Sequence, residues 1–162
     1  MTNLDRLAAA LLFVSTTALA ADAPAAAPAP AAPPPAYDEA LARSVGADEH
    51  GMRQYVLVIL KTGPTPVPAG PARDEMFRGH FANMNRLAAE GKLALAGPLD
   101  KVDGWRGLFV LAVAEIEEAK PIVATDPVIV AGEMVAEYHK FYGSAALMLV
   151  NGQHDKIQKK SL

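Results

Sequence analysis

The chain has 162 residues, a formal charge of −3 and no cysteine, and these facts alone remove several chemistries. Cysteine nucleophiles, thiolate zinc sites, iron–sulfur clusters and disulfide staples are excluded, and a mildly acidic chain with one Trp has no basic footprint for nucleic acid. There is no internal repeat, no phosphate-cradling glycine loop and no Gly-x-Ser-x-Gly elbow.

Leu7 to Ala20 is an almost unbroken apolar and small-residue run ending in Ala18-Leu19-Ala20, the small-x-small pattern of a signal-peptidase site. It falls short of the ~20 apolar residues that a membrane span needs. Residues 1–20 are therefore expected to be a signal peptide cleaved after Ala20, giving a periplasmic or secreted protein with no membrane attachment. Residues 21–36 (ADAPAAAPAPAAPPPA) are alanine and proline with one charge, an extended tether. Residues 37–150 suit one domain with one core, and residues 151–162 read as a polar tail expected to be poorly ordered.

Within the domain, Asp38 to Val45 reads as a short helix entered through Asp38 and ended by Gly46. Gln54 to Lys61 (QYVLVILK) is a strand apolar on both faces, hence central in a sheet. Lys61 to Pro71 holds four prolines and two glycines and must be a loop. Phe77, Phe81, Met84, Leu87 and Ala88 then recur at helical spacing, Gly91 closes that helix, and Leu93 to Gly97 follow as a strand. Asp100 to Gly104 is a turn, Trp105 to Val113 the returning strand, and Glu115 to Thr125 a helix that Pro121 should bend or shorten. Asp126-Pro127 opens a further short turn of helix ended by Gly132, and Met134 to Tyr142 is the last strand.

One residue breaks the apolar stripe of the long helix. His80 lies three residues after Phe77 and four before Met84, on the buried edge, and a titratable ring turned toward a core needs a partner. The order of elements is β-α-β-β-α-β, an α+β, ferredoxin-like arrangement with a four-stranded antiparallel sheet and both helices on one face. Strands apolar on both sides predict a second subunit, a homodimer, over the other face.

From about Gly46 to Leu147 the chain resembles the YciI-like, or YCII-related, domain family. The matching pieces are YVLVILKTGP, GHF with NRLAAEGKLALAGP, EEAKPIVATDP and EYHKFYGSAAL, in that order. The resemblance implies the dimeric α+β barrel, in which two ferredoxin-like subunits pack sheet to sheet. It also implies an active site built from the helix histidine and the aspartate of the Asp-Pro step, here His80 and Asp126. One relative is similar to a dehydrochlorinase acting on a chlorinated hydroxyhydroquinone, which suggests small cyclic substrates. Two departures stand out: Pro121 lies where the family's second helix is usually regular, and export is unusual for a family best known from cytoplasmic members.

Read from the residues, Asp126 before Pro127 is an ordinary helix cap, and His80 an ordinary bonded core histidine. Both readings are compatible with a dyad, since a capping carboxylate has a second oxygen and imidazole is the natural proton-transfer group near neutral pH. If the Glu137 face of the last strand lines the helix side, His139 approaches His80 and could contact substrate, although a polar-rim or dimer-contact role is commoner. Two histidines and a carboxylate suit a divalent metal, but none of them has local ligand spacing, so no metal or other cofactor is expected. Arg73 and Arg78 flank the expected entrance and offer charge to an anionic substrate, although solvated helix charges are commoner; His50 and His154 read as exposed. Two functions follow: a small-molecule enzyme of lyase or isomerase type using His80 and Asp126 for proton transfer on a cyclic or carbonyl-containing metabolite, or a non-catalytic exported ligand-binding or interaction module.

Overall fold

Residues 36–160 are described by the computed structural model, so the expected signal peptide and nearly all of the tether lie outside the described residues. Helix α1 (Glu39–Ser44) opens as its sequence predicts: Asp38 Oδ1 accepts the Leu41 N–H at 2.9 Å. Strand β1 (Met52–Thr62) is followed by the proline-rich loop and by α2 (Pro71–Ala89), whose first position is proline, where no N–H is missed. Gly91, at φ +68°, turns the chain into β2 (Leu93–Pro98).

A 3-10 turn at Val102–Gly104 leads into β3 (Trp105–Leu111). Helix α3 (Ile116–Val123) is shorter at both ends than expected: Glu115 and Glu118 form a capping box at its start, and Pro121 lies inside it, forfeiting the hydrogen bond to the carbonyl four residues back without ending the helix. A single turn, α4 (Pro127–Val130), precedes β4 (Met134–Ser144). The sheet order is β2-β3-β1-β4 with every pairing antiparallel, so the fold is ferredoxin-like α+β, as expected.

Register assigns the two faces. Val56, Val58 and Leu60 of β1 lie beside Leu111, Phe109 and Gly107 of β3, and these apolar side chains pack against Leu87 of α2, Val123 of α3 and Val128 of α4. The alternate residues Tyr55, Leu57 and Val110 point to the second face with Leu95, Leu108 and Phe141.

That second face is partly covered by the chain itself, which sequence reasoning missed. The segment expected as a loose tail continues from a 3-10 stretch (Ala145–Leu149) into α5 (Val150–Ile157). Leu147 and Met148 pack on the Tyr55, Ala94 and Val110 cluster, and Asn151 Nδ2 donates to the Leu93 carbonyl at 2.7 Å. Polar residues dominate α5, so no apolar period announced it; one side-chain bond and two upstream apolar residues hold it. Among the described residues no helix is long and apolar enough to cross a membrane.

Candidate active site

Helix α2 presents Met76, His80, Asn83 and Leu87 to the interior, a stripe spaced four, three and four residues apart. His80 is therefore at the middle of the buried face and not on its edge. Phe77 and Met84 are half-buried and Phe81 is more exposed, because that side of the helix borders a cavity.

The partner of His80 is Asp126, as the sequence reading paired them. Asp126 is fully buried, with extended backbone (φ −77°, ψ 126°) at the N-cap of α4, and its Oδ1 accepts the Val128 N–H at 3.1 Å. His80 Nδ1 lies 2.9 Å from each carboxylate oxygen, and Asn83 Nδ2 lies 3.4 Å from Oδ2. Asn83 is held in turn by Arg86 at 2.7 Å and by the Thr125 hydroxyl at 3.2 Å. The cap and the dyad thus coexist in one carboxylate.

A glycine makes the meeting possible. At Gly79 a Cβ would stand 2.9 Å from Pro127 Cγ, so α2 approaches α4 only because position 79 has no side chain.

A carboxylate offers acceptors alone, so the hydrogen-bond network assigns the proton of neutral His80 to Nδ1 and leaves the lone pair on Nε2. No hydrogen bond reaches Nε2, yet among the described residues no enclosed side-chain nitrogen or oxygen lacks a partner; Nε2 is accessible, and His80 lines the cavity. The cavity has a volume of about 390 Å³, at the lower end of the ~300–1,000 Å³ usual for small-molecule sites. Phe109 stacks on the imidazole at 6.0 Å between centroids, while Phe77 and Phe81 approach it at 6.1 and 5.4 Å. Leu60, Met84 and Met134 complete an apolar wall, and Arg106 and Lys101 supply its cations.

A second buried carboxylate braces this wall. Glu133 Oε1 pairs with Arg73 at 2.8 Å and more loosely with Arg106 at 3.3 Å, and its Oε2 accepts the Val67 N–H at 2.7 Å. Burial pushes the Glu133 carboxyl up, but Arg73, the Val67 amide and Arg106 outweigh it and hold the group below the usual carboxylate range. Neither Glu133 nor Arg106 was singled out from sequence, and no spacing signals them: their partners come from the proline-rich loop, α2, β3 and the start of β4.

The remaining candidates fall elsewhere. Arg78 is exposed, bonds Glu75 and does not line the cavity; Arg73 is tied to Glu133 and to the Val67 carbonyl, its guanidinium 5.0 Å from the Phe77 ring centroid. His139 sits opposite Leu57, while its neighbour Tyr138 sits opposite Val58 on the helix face. The Glu137 face is thus the one turned from the helices. The sheet separates His139 from His80, and its Nε2 meets Glu137 Oε1 at 2.8 Å instead. His50 and His154 are exposed, and among the described residues no three His, Asp or Glu side chains gather as a metal-holding group. A wider depression of about 560 Å³ between the end of α2 and α5 holds no buried titratable pair, so the His80 cavity is the better candidate.

The family model of the YCII-related domain matches residues 52–141, from the first residue of β1 almost to the end of β4. No curated protein matches the chain.

Proposed function

The chain belongs to the YCII-related domain family, and on that premise we propose an enzyme that moves a proton on a small cyclic or carbonyl-containing metabolite. One observation carries this reading: a buried carboxylate holds Nδ1–H of His80 while Nε2 opens on a half-open, mostly apolar cavity. In the proposed step a substrate C–H bond breaks, its proton goes to Nε2, and its electron pair stays on the substrate as an enolate or its equivalent. Asp126 stabilises the imidazolium that forms, and the apolar wall excludes water. Return of the proton at another carbon completes an isomerisation; departure of a leaving group from the next carbon completes an elimination.

Incubating the protein with carbonyl compounds in deuterated water tests this, because proton abstraction leaves deuterium on the substrate carbon, visible by NMR. Incorporation lost in His80→Gln supports the reading; incorporation unchanged in that variant sinks it. The second reading, ligand binding without turnover, draws on the predominance of apolar side chains around the cavity. Binding detected by thermal shift with no deuterium incorporation favours it.

The reading extends to assembly and location. Leu57 and Leu108 are half-buried on the face turned from the helices and Val135 is exposed there, a surface a second copy would cover. Light scattering at micromolar concentration is expected to report a homodimer, and a clean monomer ends the barrel proposal. Export after Ala20 predicts an intact mass beginning at Ala21; a product retaining Met1 counts against it.

A further inference from the structure

We infer that the His80 cavity selects substrates bearing a fixed negative charge, a ring carboxylate that Arg106 and Lys101 hold while the acidic carbon faces His80. This rests on reading the His80 cavity as the substrate site and adds the chemical class of what enters it.

The argument begins with unbalanced charge. Arg73 and Arg106 share the single carboxylate of Glu133, so that corner carries one positive charge without a counterion among the described residues. Arg73 is the close partner, at 2.8 Å, with a further bond to the Val67 carbonyl. Arg106 is the loose one, its two terminal nitrogens 3.3 and 3.4 Å from the same oxygen. A guanidinium has five N–H donors, so most of Arg106's capacity remains unspent on a side chain that lines the cavity. A planar, two-oxygen anion is the partner that fork fits best.

Lys101 adds a second cation on the same cavity and forms no ion pair among the described residues. Its backbone is left-handed, at φ 71°, a conformation that glycine adopts freely and that is strained for a lysine. The position therefore carries a side chain against its backbone preference.

Placement fits as well. Phe109 stacks on His80, Arg106 lies three residues earlier on the same strand, and both line the one cavity. A six-membered ring with one acidic substituent can lay its apolar body against the phenylalanines and turn its anion toward Arg106. The anion at one end fixes which carbon meets Nε2 at the other, so charge recognition also orients the reaction.

Calorimetric titration of the full chain with benzoate and with benzamide, its neutral isostere, tests the inference. Benzoate is expected to bind about tenfold more tightly, with the difference shrinking at high ionic strength. Lys101→Gln should reduce that preference without unfolding the chain, since this lysine pairs with nothing among the described residues. The single variant Arg106→Gln, which leaves Glu133 paired with Arg73, should reduce it further. The His80 ring signals should shift on adding benzoate. Equal affinity for the two compounds, a preference that survives both variants, or unmoved His80 signals overturns the inference. If benzoate preference holds as described while no compound gains deuterium, the anion site stands and the proton-transfer reading falls.

Discussion

A buried carboxylate lies on either side of α4, Asp126 at its N-cap and Glu133 just before β4, and the two face different partners. Asp126 is 0% exposed and faces an imidazole, a side-chain amide and one backbone N–H. Glu133 is 2% exposed and faces two guanidiniums and one backbone N–H. Arginine does not release its proton near neutral pH, so the Glu133 corner is locked in one charge state and serves as a brace. Imidazole is a side chain able both to accept and to release a proton, and at the Asp126 corner its second nitrogen opens on the cavity. Burial alone does not set the two carboxylates apart; the proton chemistry of their partners does, and under the proposed function only the Asp126 corner handles a proton.

The sharpest way to break this comparison is to remove the partner at each end. His80→Gln is expected to lower deuterium incorporation about a thousandfold, within the range for a general base, with little change in melting temperature. Asp126→Asn should lower it about a hundredfold while still capping α4, since Asn caps as well as Asp. Retention of full activity in Asp126→Asn, with only Asp126→Ala melting earlier, would reduce the aspartate to a cap.

Glu133→Ala probes the other corner through stability. Leaving Arg73 and Arg106 without their carboxylate is expected to cost about 3 kcal/mol in urea unfolding. A loss well below 1 kcal/mol would mean that the arginines relax into water and that the corner is no brace.

Gly79→Ala tests what brings the working corner together. Its Cβ would meet Pro127 Cγ at 2.9 Å, so the helices must part by a few tenths of an ångström, at a cost of about 1–2 kcal/mol. Activity should fall by more than that loss of stability explains, because His80 and Asp126 sit on the two helices being separated. A drop confined to the melting temperature counts against the need for close approach.

The smallest effect is on pH dependence. The folded-state pKa of Glu133 lies below its ordinary value of 4.5, so between the two the unfolded chain binds more protons and stability rises with pH. Its contribution is complete above about pH 4.5 and is lost as pH falls through the folded value. Urea midpoints measured from neutral to acidic pH should therefore decline less steeply in Glu133→Gln than in the parent. Parallel curves would show that the arginines stabilise the charged form no better than water does.

The four strands, the long helix and the pairing of His80 with Asp126 were legible because each leaves a local mark: alternation, helical spacing, a polar break in an apolar stripe, and an Asp-Pro step. The family resemblance, rather than spacing, joined the last two. Arg106, Lys101 and Glu133 left no such mark, since a charged residue at a strand end or in a turn looks like any solvated charge until the loop that covers it is in place. His139 was misdirected by parity: strand alternation fixes which residues share a face, but not which face meets the helices. The C-terminal helix escaped notice because its anchor is one amide on the Leu93 carbonyl, and hydrophobic patterning cannot register a single hydrogen bond.

Asp126 serves α4 as cap and His80 as partner, and these duties have different tolerances. Serine, threonine and asparagine start a helix nearly as well as aspartate, but none supplies a negative charge to an imidazolium. Natural chains of this fold can thus be sorted at one position, before any purification: those that replace this aspartate by a neutral capper have kept the architecture and, under the proposed function, given up the proton relay. Those that keep it beside a histidine one helix away are the ones in which to look for a shared substrate.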